Sequence, residues 1–140
     1  MSRENREFVE ALFAGAGAMD KQALLAALPG LISQICDPDV EWVEDPNRAD
    51  GRVHRGHAGV HASFEHWLEG FEEYSFEVEQ VEDCGDEVLV VAREQARGSA
   101  SGAAISARNY AVLTIRDGKL LRYREFYDER AAPEAAGLPS

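Results

Sequence analysis

Two aspartates, Asp45 and Asp128, have the setting that acid–base chemistry requires. Each follows a short run of strand-forming apolar residues. A carboxylate in an apolar pocket is harder to ionise, so its pKa rises toward that of a general base. Arg93 is the candidate donor, although a guanidinium beside either carboxylate would oppose that rise. We predict that these three residues carry catalysis. The plainer interpretations, a turn residue before Pro46 and a strand-end salt bridge for Asp128, stay open.

The four histidines do not have the spacing of a metal site. His57 and His61 lie one helical turn apart, but an alanine follows His57 and no third ligand is evident. The pattern indicates a polar helix face, with His54 or His57 available as a proton carrier. The glycine-rich stretch from Gly15 to Met19 lacks the third glycine of a dinucleotide site. The sequence therefore predicts neither a metal nor a cofactor.

The composition predicts one domain over residues 1–140 and disfavours two classes of partner. The chain has 140 residues, with 26 acidic and 14 basic side chains and a net charge of −12. This charge repels nucleic acid and anionic membranes. The N-terminus has no apolar signal segment, and no apolar run is long enough to span a bilayer. Cys36 and Cys84 give no disulfide framework, and we expect a cytoplasmic protein.

The hydrophobic patterns place helices before strands. Helical spacing predicts helices over 2–14, 20–28 and 57–71. Pro29 and Gly30 end the second helix, and one more helical turn follows over 31–36. Strand patterns occur at 40–44, 74–79, 88–97, 105–116 and 120–128, with a hairpin turn at Asp117 and Gly118. We predict an α+β fold in which a curved antiparallel sheet wraps around the N-terminal helices and forms a cone-shaped pocket.

Alternation along the last strand connects the candidate site to a candidate interface. If Asp128 faces the pocket, Phe126 faces it as well. Tyr123 and Tyr127 then lie with Leu121 on the outer face of the sheet, which is more aromatic surface than a monomer usually exposes. We therefore predict a homodimer through this outer face.

Four stretches, taken in order, resemble the nuclear transport factor 2-like superfamily. They begin at Asp39, His54, Arg116 and Tyr123 and read DVEW, HRGHAGV, RDGKL and YREFYD. The superfamily includes SnoaL-like polyketide cyclases, ketosteroid isomerases, limonene epoxide hydrolases and scytalone dehydratase. The resemblance covers nearly the whole chain and implies the cone-shaped α+β fold. It supports the fold more strongly than any one activity, because this fold hosts many chemistries.

The resemblance to ketosteroid isomerases implies a role for Asp45. This aspartate matches the general base of those enzymes. Phe8 stands where they have an oxyanion tyrosine, and Ala111 stands where they have a protonated aspartic acid. The base is therefore present in the sequence, and the known oxyanion hole is not.

The resemblance to limonene epoxide hydrolases concerns an Asp–Arg–Asp triad. Asp128 and Arg93 match two of its members. The third position falls on Gln95, or on Glu94 if the alignment does not slip by one residue. A glutamine there would leave no carboxylate to activate water, which disfavours epoxide hydrolysis.

These observations predict a protein that binds a small, largely apolar molecule. The ligand-binding set consists of side chains expected on the pocket wall: Phe8, Trp42, Phe64, Trp67, Asn109 and Phe126. An enzyme of this kind would be an isomerase or lyase that transfers protons without a cofactor, in isomerisation, aldol cyclisation or dehydration. The alternatives are a non-catalytic binding protein, favoured by the missing oxyanion pair, and a dimeric interaction module.

Overall fold

Three helices cover one face of a six-stranded sheet. The computed structural model describes residues 2–17, 19–48 and 51–130. In chain order the elements are α1 (Ser2–Gly17), α2 (Lys21–Ile35), β1 (Cys36–Val43), β2 (Val53–Arg55), α3 (Gly56–Glu69), β3 (Phe71–Asp83), β4 (Glu87–Gly98), β5 (Ala104–Arg116) and β6 (Lys119–Phe126). The α+β class predicted from the sequence is confirmed. The sequence pattern also predicts a helical turn over residues 133–136, before Gly137, and this stretch lies outside the described residues.

Helix α2 runs through the proline that was expected to end it. Its N-terminus is capped by Asp20, whose carboxylate accepts a hydrogen bond of 2.8 Å from the backbone N–H of Ala23. Three of its side chains are buried at intervals of one turn, Leu24, Leu28 and Ile32. Burial of this stripe outweighs the backbone hydrogen bond that Pro29 removes, so the helix ends at residue 35 rather than at residue 28.

The sheet has the strand order β2-β1-β6-β5-β4-β3. Strands β3 to β6 form an antiparallel meander, and β1 pairs with β6 in parallel. A strand from the first third of the chain thereby lies beside the last one. The β5–β6 turn has positive φ at Asp117 (54°) and Gly118 (74°), the conformation expected of a two-residue Asp-Gly hairpin.

The core lies between the helices and the concave face of the sheet. Its largest fully buried side chains come from both layers and include Val9, Val40, Val60, Leu68, Val88 and Leu113. Short β2 was not predicted, because its residues lie in a polar stretch. It extends the sheet beyond β1 through pairs such as Trp42 with His54. None of the described helices is long and apolar enough to cross a membrane.

Candidate functional site

A cavity of about 140 Å³ lies between the helices and the sheet. Its apolar lining comes from all three helices and from strands β1, β3, β4, β5 and β6, and includes Leu12, Leu28, Val60, Phe76, Val90, Ala111 and Leu120. A volume near this value is about that of an apolar cavity that binds benzene. The cavity therefore matches a guest with one small ring.

Aromatic side chains form a second part of the wall. The rings of Trp42 and Tyr123 are stacked at a centroid distance of 3.8 Å, and Phe64 contacts Trp42 at 5.1 Å. Trp67 meets Tyr74 edge to face at 6.4 Å. All five residues line the cavity, and Trp42 and Trp67 are the two tryptophans of the chain. The intrinsic fluorescence of the protein thus reports on this cavity.

Glu94 carries a carboxylate into the cavity from β4. Residues Val90, Ala92 and Glu94 alternate onto the concave face, and the Glu94 residue is 8% exposed. Its carboxylate accepts hydrogen bonds from the hydroxyl of Tyr74, from the hydroxyl of Tyr127 at 2.8 Å and from Asn109 Nδ2 at 3.4 Å. Burial raises the pKa of both tyrosines further above their usual range, so they remain protonated donors.

Glu125 is the second carboxylate of this polar end. One oxygen, Oε1, lies 3.2 Å from a guanidinium nitrogen of Arg48 and 3.4 Å from the backbone nitrogen of Asp45. Burial raises the pKa of Glu125 to about 7, with a further rise from nearby Glu94 and an opposing effect from Arg48. Glu125 is therefore able to give or take a proton near neutral pH.

Glu44 links the polar end to helix α3. The hydroxyl of Ser63 donates to Glu44 Oε2 at 2.8 Å, and His54 Nε2 lies 3.2 Å from the same oxygen. The backbone N–H of Arg52 donates to Glu44 Oε1 at 3.1 Å. Because the serine hydroxyl is bonded to the glutamate and not to the histidine, this trio does not have the geometry of an activated serine nucleophile.

Four of the six residues predicted to bind a ligand line the cavity: Trp42, Phe64, Trp67 and Asn109. The other two lie elsewhere. Phe8 packs against the main core without reaching the lining, and Phe126 packs against Leu89 and Val112 in a second cluster.

The three residues predicted to be catalytic are not brought together at the cavity. Asp45 is 4% exposed, and its carboxylate accepts hydrogen bonds from the backbone N–H groups of Asn47, at 2.8 Å, and Tyr127, at 2.9 Å. Asp128 is exposed and accepts from the backbone of Arg130. Arg93 lies 3.6 Å from Glu79 and is 40% exposed. Their catalytic roles stay predictions, and the turn interpretation of Asp45 describes its observed contacts.

The expectation that Tyr123 and Tyr127 lie on the outer sheet face is wrong. Tyr123 is 8% exposed and lines the cavity, and Tyr127 reaches Glu94. The alternation itself holds, because Tyr123 and Glu125 line the cavity while Phe126 packs in the second cluster. The premise that Asp128 faces the pocket is what fails, since Asp128 is exposed. The reason given for a homodimer through these tyrosines therefore fails.

Sequence reasoning missed the role of Glu125 and left Glu94 as an alternative. The available signal for Glu94 was that Val90, Ala92 and Glu94 follow one another at intervals of two residues in an apolar strand. Gln95, the other candidate for that position, is exposed. Glu125 lies two residues after Tyr123 in the same strand, so it faces the cavity once Tyr123 is assigned to the core. Among the described residues, no group of three histidine, cysteine or acidic side chains is arranged to hold a metal ion.

Comparison with known proteins identifies relatives of the same architecture. Residues 6–123 match the family model of the SnoaL-like domain. TerC, co-crystallised with polyporic acid, is 25% identical, with 96% of this chain and 98% of TerC covered and a TM-score of 0.71. A putative SnoaL-like polyketide cyclase from Jannaschia sp. CCS1 is 24% identical, with 99% and 94% covered and a TM-score of 0.73. A hypothetical protein with a ketosteroid isomerase-like fold from Catenulispora acidiphila, in complex with trimethylamine, is 16% identical, with 95% and 94% covered and a TM-score of 0.69. The curated proteins contain no match.

Proposed function

The chain belongs to the SnoaL-like domain family, and from this premise we propose that it binds a small, largely apolar molecule and transfers a proton to or from it without a cofactor. The observation that carries the proposal is an apolar cavity that ends at the Glu125 carboxyl. Such a site holds the apolar body of a ligand and places its polar part beside an acid–base group. In the same proposal the protein acts as an isomerase or lyase in the cytoplasm.

Glu125 is the proton carrier in this proposal. A general acid or base works best when its pKa lies near the working pH, and burial raises the pKa of Glu125 to about 7. Arg48 lies 3.2 Å from the carboxylate and stabilises its ionised form. The hydroxyls of Tyr74 and Tyr127 donate hydrogen bonds to Glu94 and hold its carboxylate in a fixed position near Glu125.

Ligand binding is tested by fluorescence because both tryptophans line the cavity. Cyclohexanone and benzyl alcohol, neutral molecules with one small ring each, are suitable first probes. Binding changes the tryptophan emission and raises the melting temperature with ligand concentration. No change with either probe in both assays would contradict the proposal.

Proton transfer is tested by exchange of the α-hydrogens of cyclohexanone in D₂O, followed by proton NMR. We expect the wild-type protein to accelerate this exchange and Glu125→Gln to reduce the acceleration by about 100-fold or more. Glu77→Gln is the matched control, because Glu77 is exposed on β3 and the change alters the net charge equally. Loss of exchange in Asp45→Asn or Asp128→Asn, with Glu125→Gln active, would assign the base to that aspartate.

A non-catalytic binding protein is the second candidate. The observation that favours it is the set of three protein donors already bonded to Glu94, Tyr74, Tyr127 and Asn109. A carboxylate held by three donors is fixed in place, which suits binding of a ligand more than removal of a proton from it. Binding of the probes without any acceleration of exchange would select this function over the catalytic one.

A further inference from the structure

The charged side chains of the cavity are unbalanced toward the acidic side. Four charged residues line the cavity in the described part of the chain: Glu44, Arg48, Glu94 and Glu125. Arg48 is engaged by two of the glutamates, at 3.2 Å from Glu125 and 4.0 Å from Glu44. The surplus of carboxylates faces an apolar space in which charges are weakly screened.

Glu94 contributes most to this surplus. The contacts to its carboxylate come from neutral groups, two tyrosine hydroxyls and the Asn109 amide. Such donors lower the free-energy cost of burying a charge without cancelling the charge itself. A buried carboxylate with neutral partners attracts a cation from the ligand and repels an anion.

The aromatic wall favours the same sign of charge. Aromatic ring faces attract cations, tryptophan most strongly. The cavity already contains one such contact, since the Arg48 guanidinium lies 4.9 Å from the centre of the Trp67 ring. The Trp42, Phe64 and Tyr123 rings line the same space. Acidic and aromatic groups around one small apolar cavity form the kind of site that receives ammonium ligands.

We propose that the molecule bound in this cavity is a small protonated amine, with its apolar body among the aromatic rings and its ammonium group at the Glu94 and Glu125 end. The inference rests on the proposed function, because it names the ligand class for the same cavity. It also serves the chemistry, since an ammonium beside Glu125 holds this carboxyl in the ionised form that a general base requires.

The pH dependence of binding follows from the groups around Glu125. Its neighbours come from β4, from β6 and the residue after it, and from the segment after β1: Glu94, Tyr123, Tyr127, Glu44, Asp45 and Arg48. His54 contacts Glu44, one of these neighbours. Below pH 7 Glu125 takes up a proton, so the affinity for an amine falls by at most about tenfold per pH unit. A neutral ligand of the same shape lacks this dependence.

The experiment compares three ligands of one size: benzylamine, benzyl alcohol and benzoate. Affinities are measured by isothermal titration calorimetry in phosphate buffer, which contains no competing amine, at about pH 7.5 and pH 6. We expect benzylamine to bind about tenfold more tightly than benzyl alcohol or better, and benzoate to bind weakest. Glu94→Gln reduces the preference for the amine by about tenfold, whereas Glu77→Gln leaves it unchanged.

The possible results separate failure of the amine inference from failure of the proposed function. Equal or tighter binding of benzyl alcohol by the wild-type protein overturns the amine inference and leaves the proposed function intact. An amine preference that survives in both Glu94→Gln and Glu125→Gln also overturns it. Failure of all three ligands and of the ketone probe to bind overturns the proposed function and this inference together. The comparison on the wild-type protein does not depend on whether a variant folds.

Discussion

Replacing Glu125 by glutamine is expected to stabilise the protein at high pH and to have little effect at low pH. The carboxyl has a pKa raised from its ordinary value of 4.5 to about 7, mainly by burial. A raised pKa means that the folded state holds the proton more tightly than the unfolded state does. Stability from this group is therefore fully present below pH 4.5 and is lost as the pH rises through about 7.

The magnitude follows from the two pKa values. Each tenfold change in proton affinity is worth about 1.4 kcal/mol, so ionised Glu125 costs about 3 kcal/mol of stability at pH 8. About 2.5 kcal/mol of this loss develops between pH 5 and pH 8. Glutamine has nearly the same shape and does not ionise. The difference in unfolding free energy between Glu125→Gln and wild type should accordingly rise by about 2.5 kcal/mol over this range.

Urea denaturation followed by tryptophan fluorescence measures this difference at both pH values. All other titrating groups are common to the two proteins and cancel in the comparison, apart from those coupled to Glu125. Asp128→Asn is the control, because Asp128 is exposed and the change removes one carboxylate in the same way. A difference for Glu125→Gln that varies with pH no more than that of the control would show that the Glu125 carboxyl is solvated, and the account of the cavity's polar end would be refuted.

Three further predictions concern packing and assembly. Trp67→Ala removes a ring that contacts Arg48, Phe71 and Tyr74 and should cost about 3 kcal/mol, measured by chemical denaturation followed by circular dichroism; a cost within error of zero would contradict the packing described. Gly30→Ala places a methyl group in open space on α2 and should stabilise the protein by about 0.5–1 kcal/mol. Gly51→Ala places a methyl group against the Asp45 carbonyl oxygen and should destabilise it by about 1–3 kcal/mol. Thermal melts of the two variants distinguish these effects, and equal melting temperatures would count against the turn geometry. The homodimer stays a prediction although the reason given for it fails, and light scattering that gives a monomer at micromolar concentration would contradict it.

Local patterns were sufficient to predict most of the fold. Alternating residues gave the long strands, and Asp117 with Gly118 marked the last hairpin because positive φ at both positions needs such residues. Helix α2 was predicted too short, because a proline is a local signal and the burial of Leu24, Leu28 and Ile32 depends on the rest of the structure.

The site was harder to predict because its polar residues lie on three separate segments. Glu94, Glu125 and Arg48 meet only after the sheet has formed, and single-sequence patterns carry no information on that register. The aspartates drew attention because a family resemblance pointed to their positions. In the structure Asp45 bonds the backbone of the chain after β6, a contact that no spacing rule predicts.

The parallel pairing of β1 with β6 has a consequence for how the chain folds during synthesis. Asp45 and Glu125, which meet at the polar end of the cavity, are 80 residues apart in the chain. Strand β1 therefore leaves the ribosome long before its partner exists, with one edge open to other chains. The β3 to β6 meander has mostly local contacts and is expected to form first. A chain that stops before residue 119 lacks β6 and with it Tyr123 and Glu125, so its cavity has neither the aromatic partner of Trp42 nor the carboxyl of its polar end.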